Sequence, residues 1–357
     1  MNRFSNIVIF GGSGFIGAHF SIHLLDNNLA ENIFLADILP PNLDALPAKL
    51  KQYTDSGKVK FVKVDVRQPI SEQMPAELGG QSEGQLNGQG KVDLVVNLAA
   101  VHREPGHERN EYFDTNLPGA NNVCDWASQV DCKYIVFTSS IAVYGTEKIG
   151  PKTEDTTPQP NSPYGESKLA AEKIHRDWVN AQAERKLLIV RPGVIFGTGE
   201  GGNITRMIKG IRGGYFVFLG NQNVVKSGGY VKELARSMAW MMDKQLSGNI
   251  KEMLYNFTMN PAATVGEYAN GILKAMNLRK RIWNIPYGLL LPVATVVGGI
   301  SKVLRIDQPV NSARVKKLLR ENNIVAKKLE DLGYEYQYTL DSALADWHQE
   351  HPQDWGD

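Results

Sequence analysis

Cysteine is almost absent from this sequence: among its 357 residues, only Cys124 and Cys132 are cysteines. Two cysteines build neither a disulfide framework nor a cysteine-based zinc site, so we expect a reducing compartment, the cytoplasm. No close set of His, Cys, Asp and Glu residues has the spacing of metal ligands, and no metal site is predicted. The apolar run after Arg3 has only the length of a strand, so no signal peptide is expected.

An excess of charge of either sign is also missing. The sequence has 39 Lys and Arg residues against 38 Asp and Glu residues, which leaves a net charge of +1. This balance gives no electrostatic reason to expect nucleic acid or an anionic membrane as a partner.

Long hydrophobic runs are scarce as well. Residues 282–300 are mostly apolar, but Pro286, Pro292 and several glycines interrupt them. A membrane-spanning helix needs about 20 residues of cleaner apolar sequence, so no transmembrane segment is predicted. We expect a buried or interfacial helix that starts near Pro292, with contact to a membrane surface or to another subunit as the alternative.

A glycine-rich turn is present near the start of the chain. Gly11, Gly14 and Gly17 lie between a strand-like apolar run at residues 7–10 and a helix-like segment at residues 18–25. Such a turn needs a positive φ, and a pyrophosphate can approach backbone N–H groups only where no Cβ intervenes. A second apolar run ends at Asp37, where a carboxylate accepts hydrogen bonds from an adenosine ribose. Because an acid repels a 2′-phosphate, the pattern predicts NAD rather than NADP.

Strand-like and helix-like segments alternate as far as residue 197, which predicts an α/β fold with a Rossmann-type, doubly wound parallel sheet. Ligands of such sheets lie beyond the carboxyl ends of the strands. We expect an NAD-binding domain at residues 1–197 and a smaller, mainly substrate-binding α/β lobe at residues 198–357, with an interleaved boundary. The residues at the predicted strand ends are Gly11, Asp37, Asp65, Ala99 and Ser140.

Tyr164 and Lys168 are four residues apart in a predicted helix, which places them on one face. Tyrosine has a pKa of about 10 and is a poor base at neutral pH. A neighbouring ammonium and an oxidised nicotinamide favour the phenolate, so Tyr164 can remove or return a hydroxyl proton. Lys168 is expected to hold the nicotinamide ribose, and Ser140 to bind the same substrate oxygen.

Residues 11–17, 97–100, 138–145, 164–168 and 191–197 together resemble the extended short-chain dehydrogenase/reductase family, above all its NAD-dependent sugar-nucleotide epimerase/dehydratase branch. The resemblance implies bound NAD, a nucleotide-sugar substrate, and catalysis by Ser140, Tyr164 and Lys168. By analogy, it implies a homodimer through the helices at residues 120–127 and 168–181. The residues predicted for the NAD site are Gly11, Gly14, Phe15, Ile16, Gly17, Asp37, Asp65, Val66, Leu98, Ala99, Ala100, Asn116, Tyr164, Lys168 and Pro192.

The predicted substrate site comprises Ser140 and five further residues. Asn203 and Arg206 match a loop that commonly contacts the nucleotide diphosphate in the family. Lys226 stands where relatives commonly carry a pyrophosphate-binding arginine, although lysine supplies a point charge rather than a bidentate fork. A surface lysine that binds no ligand is the alternative for this position. His102 and Arg103 follow the fourth strand and are expected near the sugar, with a polar loop that binds no ligand as the alternative.

The two residues that follow Ser140 indicate which type of reaction to expect. Sugar dehydratases of the branch carry an acid pair after the catalytic hydroxyl, whereas this chain has Ile141 and Ala142. We therefore predict an NAD-dependent epimerase of a nucleotide sugar, which oxidises a hydroxyl reversibly to a 4-keto intermediate. The alternative is an NAD(P)-dependent dehydrogenase or reductase of a sugar nucleotide or of an apolar, steroid-like or flavonoid-like alcohol. A protein that binds NAD without catalysis is a third possibility, against which the Ser140, Tyr164 and Lys168 set argues.

Overall fold

The computed structural model describes residues 3–80, 91–103, 106–146, 150–286 and 322–356. Its strands are β1 (Phe4–Phe10), β2 (Ala30–Asp37), β3 (Val59–Lys63), β4 (Leu94–Asn97), β5 (Tyr134–Thr138), β6 (Lys186–Pro192), β7 (Val194–Phe196), β8 (Phe218–Leu219), β9 (Gly228–Tyr230), β10 (Glu252–Phe257) and β11 (Asn284–Ile285). Its helices are α1 (Phe15–Asp26), α2 (Ala48–Asp55), α3 (Arg109–Gln129), α4 (Pro163–Asn180), α5 (Asn203–Gly213), α6 (Val231–Ser247), α7 (Val265–Ala275), α8 (Lys327–Asp331) and α9 (Leu340–Glu350).

A seven-stranded sheet in the order β10-β6-β5-β4-β1-β2-β3 forms the centre of the molecule, and every neighbouring pair is parallel. From β1 the chain moves outward to β2 and β3, and it then returns to the other side of β1 with β4. The order therefore reverses between β1 and β4, which opens a crevice at their carboxyl ends. This topology confirms the predicted Rossmann-type fold.

The buried stretches of the central strands are almost entirely apolar because helices cover both faces of the sheet. Alternate side chains enter different hydrophobic cores: Ile9 and Val96 face one core, whereas Val8 and Val95 face the other. All four side chains are fully buried. Strand pairing and burial together fix where each strand ends, and hence where the polar residues after it lie.

The start of α4 follows from its sequence. Ser162 is the N-cap, its Oγ accepts a hydrogen bond from the N–H of Gly165 at 3.2 Å, and Pro163 occupies the first helical turn. A hydroxyl cap followed by proline is a common helix start, because proline has no N–H to satisfy there. The cap fixes Tyr164 in the first turn of the helix.

The outer strand β10 is the main feature that the sequence analysis did not predict. It pairs with β6, and α6 packs against α1, so two elements from beyond residue 197 complete the sheet and one of its helical layers. The domain division at residue 197 stays a prediction.

The helix expected near Pro292 lies outside the described residues. Among the residues that the structure describes, no helix is both long and apolar enough to cross a membrane.

Candidate active site

The glycine turn after β1 approaches its surroundings more closely than any side chain would allow. Gly11 has a φ of +70°, and a Cβ built on it would lie 2.7 Å from the backbone nitrogen of Ala99. A Cβ on Gly17 would lie 2.7 Å from the Cα of Gly12. Both distances are far below van der Waals contact, so the turn requires glycine at these positions.

The other predicted glycine, Gly14, is under less constraint. It is the N-cap of α1 with an ordinary φ of −72°, and the nearest atom to an added Cβ would be 3.4 Å away. Gly12, which the motif spacing did not single out, is tighter, since its Cβ would lie 2.5 Å from the carbonyl oxygen of Ile9. The bare backbone of the turn is thus formed by Gly11, Gly12 and Gly17.

Asp37 lies at the carboxyl end of β2 and is hydrogen-bonded to the glycine turn. Its carboxylate accepts the N–H of Ser13 at 3.1 Å and the N–H of Ile38 at 2.8 Å. Burial raises the pKa of Asp37 above its usual value, while these hydrogen bonds act in the opposite direction. The Oγ of Ser13 is shielded from solvent and has no hydrogen-bond partner among the described residues. An unpaired hydroxyl, a helix N-terminus and a carboxylate at one edge fit the pyrophosphate and ribose of a dinucleotide.

The loop after β4 closes the other side of this crevice. The N–H of Leu98 donates to the carbonyl of Phe10 at 2.8 Å, and the N–H of Ala99 donates to the Oδ1 of Asn97 at 3.2 Å. These bonds hold the backbone of Leu98 and Ala99 against Gly11.

Asn116, which was predicted in the NAD site, is engaged within the protein. Its Oδ1 accepts the N–H of Val101 at 2.8 Å, and its Nδ2 donates to the carbonyl of Val101 at 3.2 Å and to the Oγ of Ser167 at 2.9 Å. The side chain is buried. Asn116 therefore ties the loop after β4 to α4, and this geometry favours a positioning role over contact with the cofactor.

Asp65 follows β3, on the adenine side of the predicted NAD site, and it forms a two-point ion pair with Arg67, with Nη2 2.6 Å from Oδ2. This pair lowers the pKa of Asp65 below its usual value. The side chain of the next residue, Val66, packs towards Gly119 of α3. Phe15 and Ile16 open α1, Ala100 continues the loop after β4, and Pro192 ends β6.

The first turn of α4 is pressed against the turn that follows β5. A Cβ on Gly165 would lie only 2.5 Å from the carbonyl oxygen of Ala142. Ser140 begins the short 3₁₀ turn at Ile141–Tyr144, and its buried Oγ accepts the N–H of Ala142 at 3.1 Å. Glycine at position 165 thus lets the helix bring Tyr164, which is half-buried, beside the Ser140 turn.

Lys168 is buried one helical turn after Tyr164. Its Nζ lies 4.5 Å from the centre of the Phe137 ring, and the imidazole of His175 stacks against Phe137 with ring centres 4.0 Å apart. Burial lowers the pKa of Lys168 to about 7, while the nearby carboxylate of Glu172 acts in the opposite direction. An ammonium held in this way keeps its position but gives up its proton more readily than an exposed lysine.

A buried polar network behind Lys168 was missed by the sequence analysis. Glu172 accepts the hydroxyl of Ser139 at 2.6 Å and two hydrogen bonds from Arg191. Arg191 also donates to the hydroxyl of Tyr144 at 2.8 Å. Glu172 lies four residues after Lys168 and therefore on the same helix face, which is a signal in the sequence; its partners follow only from the fold.

Among the predicted substrate residues, Asn203 and Arg206 come together at the start of α5, where Nη2 of Arg206 donates to Oδ1 of Asn203 at 2.7 Å. Lys226 donates its backbone N–H to the carbonyl of Ala263 and forms a bridge with Asn322. The structure thus places Asn203 and Arg206 in the first turn of α5, and Lys226 in an isolated β-bridge.

His102 and Arg103 are exposed beyond the carboxyl end of β4. The Nδ1 of His102 lies 3.4 Å from the carbonyl of Ala100, and the carbonyl of Arg103 accepts the hydroxyl of Tyr112. Both residues therefore lie in the loop after β4, at the edge of the sheet where the strand order reverses.

A glycine turn that fits a pyrophosphate, a carboxylate after β2 and a tyrosine–lysine pair beside the end of β5 define a dinucleotide-dependent redox site on a Rossmann sheet. The chain belongs to the NAD dependent epimerase/dehydratase family, whose model matches residues 7–256. This membership confirms the resemblance seen in the sequence and NAD as the cofactor.

Relatives and solved structures similar to this chain differ in how much of it they match. One relative is an N-acetyl-alpha-D-glucosaminyl-diphospho-ditrans,octacis-undecaprenol 4-epimerase from Escherichia coli O157:H7. It is 30% identical to this chain, and the match covers 95% of this chain and 93% of the relative's length. A bifunctional UDP-glucose 4-epimerase and UDP-xylose 4-epimerase 3 from Arabidopsis thaliana is 32% identical. That match covers 58% of this chain and 56% of the relative's length. The crystal structure of UDP-glucose 4-epimerase from Bifidobacterium longum in complex with NAD+ and UDP covers 98% of this chain and 99% of its own, with 22% identity and a TM-score of 0.71.

Proposed function

We propose that this chain is an NAD-dependent 4-epimerase of a sugar that is linked through a diphosphate. The observation that carries the proposal is the placement of Tyr164 and Lys168 on α4, which Gly165 brings against the Ser140 turn. The two residues after Ser140 are the apolar Ile141 and Ala142, so this turn offers no acid to protonate a leaving hydroxyl. Reversible oxidation of an alcohol is the chemistry that this set performs.

Each side chain has a distinct role in this proposal. When it is bound, NAD supplies the two-electron acceptor that takes hydride from the sugar carbon and gives it back. The Tyr164 oxygen takes the proton of the sugar hydroxyl and later returns it, so that no proton is consumed overall. Ser140 donates to the same oxygen and Lys168 holds the nicotinamide ribose. Inversion of configuration at the sugar carbon requires the keto sugar to turn within the site, so that its other face receives the hydride.

Two substrates carry the diphosphate that Asn203 and Arg206 are proposed to bind. The first is a nucleotide sugar, which the Arabidopsis thaliana relative acts on and which suits the motifs of residues 11–197. The second is a polyprenyl-diphosphate sugar, which the Escherichia coli relative acts on. This second candidate is favoured by the extent of the match, since that relative follows this chain through its C-terminal part as well.

Substitution of the catalytic phenol tests the proposal. We expect Tyr164→Phe to lower turnover by a factor of about 10² to 10⁴ while bound NAD is retained. The matched control is Tyr53→Phe, which removes a phenol oxygen that binds Asp26 on the surface. Purified enzyme is offered a UDP-sugar and an undecaprenyl-diphosphate sugar, and the sugar configuration and the NADH absorbance are measured. Full turnover by Tyr164→Phe would refute the assigned base. Stoichiometric NADH would instead establish a dehydrogenase or reductase.

We also propose a homodimer formed through α3 and α4. Phe113, Leu117 and Ile174 are apolar and only partly buried on these two helices, which suits helix packing between two copies. Light scattering should give the mass of two chains for the wild type and of one chain for Leu117→Glu. A wild-type mass of one chain would exclude this interface.

A cytoplasmic location is proposed as well. Both cysteines are free and buried, which suits a reducing compartment. Fractionation of cells that express the tagged chain checks it, with recovery in the periplasmic or extracellular fraction as the contrary result.

A further inference from the structure

The positive charges of this nearly neutral protein are unevenly distributed. Residues 203–219 contain Arg206, Lys209 and Arg212 but no acidic residue, and residues 275–286 contain Arg279, Lys280 and Arg281 but no acidic residue. The two segments meet in the fold, because β8 pairs with β11 and the Nζ of Lys280 donates to the carbonyl of Arg212 at 2.6 Å. The overall charge of +1 therefore includes a local excess of positive charge where these two segments meet.

The same surface exposes large aromatic side chains. Trp283 is 66% exposed and Tyr215 is 71% exposed, values that are unusual for such rings. The guanidinium of Arg281 lies 5.1 Å from the centre of the Trp283 ring. We call Tyr215, Arg279, Lys280, Arg281 and Trp283 the basic-aromatic ribbon.

The ribbon has two different faces. Phe216, Phe218 and Ile282 are close to the ribbon residues in the two segments and pack against the protein core. The rings of Phe216 and Phe218 are in edge contact, with centres 5.6 Å apart. The inner face thus anchors the segment, whereas the outer face exposes aromatic rings and cations to solvent.

We propose that the basic-aromatic ribbon binds an anionic lipid surface. Tryptophan and tyrosine favour the boundary between lipid and water, and neighbouring lysine and arginine side chains are attracted to anionic headgroups. The sequence continues from the ribbon into residues 287–300, which contain no charged side chain. A nucleic acid would match the cations, but the absence of other excess charge and this apolar continuation favour lipid.

The position of the ribbon suits the proposed substrate site. Helix α5 begins at Asn203, beside the proposed diphosphate site, and ends at Gly213, two residues before Tyr215. Its 11 residues span roughly 16 Å at about 1.5 Å per residue. The ribbon would therefore hold the diphosphate end of a lipid-linked sugar close to the membrane. This use of the ribbon depends on the lipid-linked form of the proposed function, whereas lipid binding itself does not.

Vesicle co-sedimentation of the full-length protein tests the proposal. We expect binding to phosphatidylcholine vesicles that contain phosphatidylglycerol, weak binding to pure phosphatidylcholine, and loss of binding at high salt. Replacement of Arg279, Lys280 and Arg281 by glutamine should weaken binding on the order of a hundredfold. The matched control replaces the exposed Lys51, Lys58 and Lys60 by glutamine, which changes the net charge equally and should leave binding unchanged.

A second readout does not depend on the stability of a multiple variant. Brominated phosphatidylglycerol in the vesicles should quench part of the tryptophan fluorescence of the wild type, and Trp283→Phe should remove that quenching. Absence of binding to anionic vesicles, or equal weakening by the control variant, would overturn the proposal. Turnover of a water-soluble UDP-sugar, measured in parallel, reports separately on the proposed epimerase activity.

Discussion

The carboxylate of Glu172 accepts hydrogen bonds from the guanidinium of Arg191 at 2.8 Å and 2.7 Å, which makes a buried bidentate pair between α4 and β6. Both side chains are almost fully shielded from solvent. Burial by itself would raise the pKa of Glu172, but the hydrogen bonds and the charge of Arg191, together with Ser139 and Arg176, hold this pKa below its usual value. The pair anchors the helix that carries Tyr164 and Lys168 to the sheet, so the geometry of the proposed site depends on it.

Loss of this pair should therefore be costly. Glu172→Gln leaves the Arg191 charge buried without its counter-charge, and we expect a decrease of about 3–5 kcal/mol in the free energy of unfolding. The matched control is Glu252→Gln, whose carboxylate binds Arg176 at 2.8 Å on a partly exposed surface and should cost less than about 1 kcal/mol. Urea unfolding of both variants measures the difference. Equal costs would show that the buried pair does not anchor α4.

The parts of the site that the sequence predicted are those that local spacing determines. Gly11, Gly17 and Asp37 lie at a strand–turn–helix unit and at the end of the next strand. Tyr164 and Lys168 share a helix face because of their four-residue interval. In each case the chemistry requires residues that are close in the sequence or at equivalent strand ends.

The parts that were missed are long-range contacts. Arg191 was visible at the end of a predicted strand, but only the packing of α4 against β6 brings it to Glu172. The stacking of His175 on Phe137 likewise joins a helix to a strand far apart in the sequence. Strand β10 escaped prediction because the β–α alternation becomes irregular between β6 and that strand.

The buried ammonium of Lys168 should leave a signature in the pH dependence of stability. Burial lowers its pKa from 10.5 to about 7, so between these values the unfolded chain binds more protons than the folded one. The stability of NAD-free protein should therefore rise with pH across this window, by up to about 1.4 kcal/mol per pH unit from this group. Lys168→Met should remove that contribution, whereas Lys173→Met, on the exposed side of the same helix, should keep it. Denaturant unfolding at several pH values measures these stabilities. If the prediction is wrong, the free energies of unfolding of the wild type and of Lys168→Met will change with pH in parallel.

Asp37 should determine the choice between NAD and NADP. We expect Asp37→Asn to weaken NAD binding by about tenfold to a hundredfold, because hydrogen bonds to a charged acceptor are stronger than those to a neutral one. Because the substitution removes the negative charge beside the ribose, affinity for NADP should fall less or rise. The substitution also weakens the hydrogen bond from the Ser13 N–H, but this effect is the same for both cofactors. The ratio of the NAD and NADP affinities therefore reports on the contact with the ribose alone. Asp55→Asn, at the exposed end of α2, serves as the control, and an unchanged ratio in Asp37→Asn would contradict the assignment.

The close approach of Gly17 to Gly12 should make the NAD turn intolerant of a single methyl group. In Gly17→Ala the new Cβ would lie 2.7 Å from the Cα of Gly12, and backbone rather than a flexible side chain would have to move. We expect a loss of about 1–3 kcal/mol in the free energy of unfolding, and weaker NAD binding because α1 is displaced from the turn. The matched control is Gly201→Ala, since a Cβ at that position would meet no atom of the structure within 4 Å. Thermal unfolding and NAD titration measure both effects. Wild-type NAD affinity in Gly17→Ala would mean that the turn can relax, and the close contact would then not be what shapes the site.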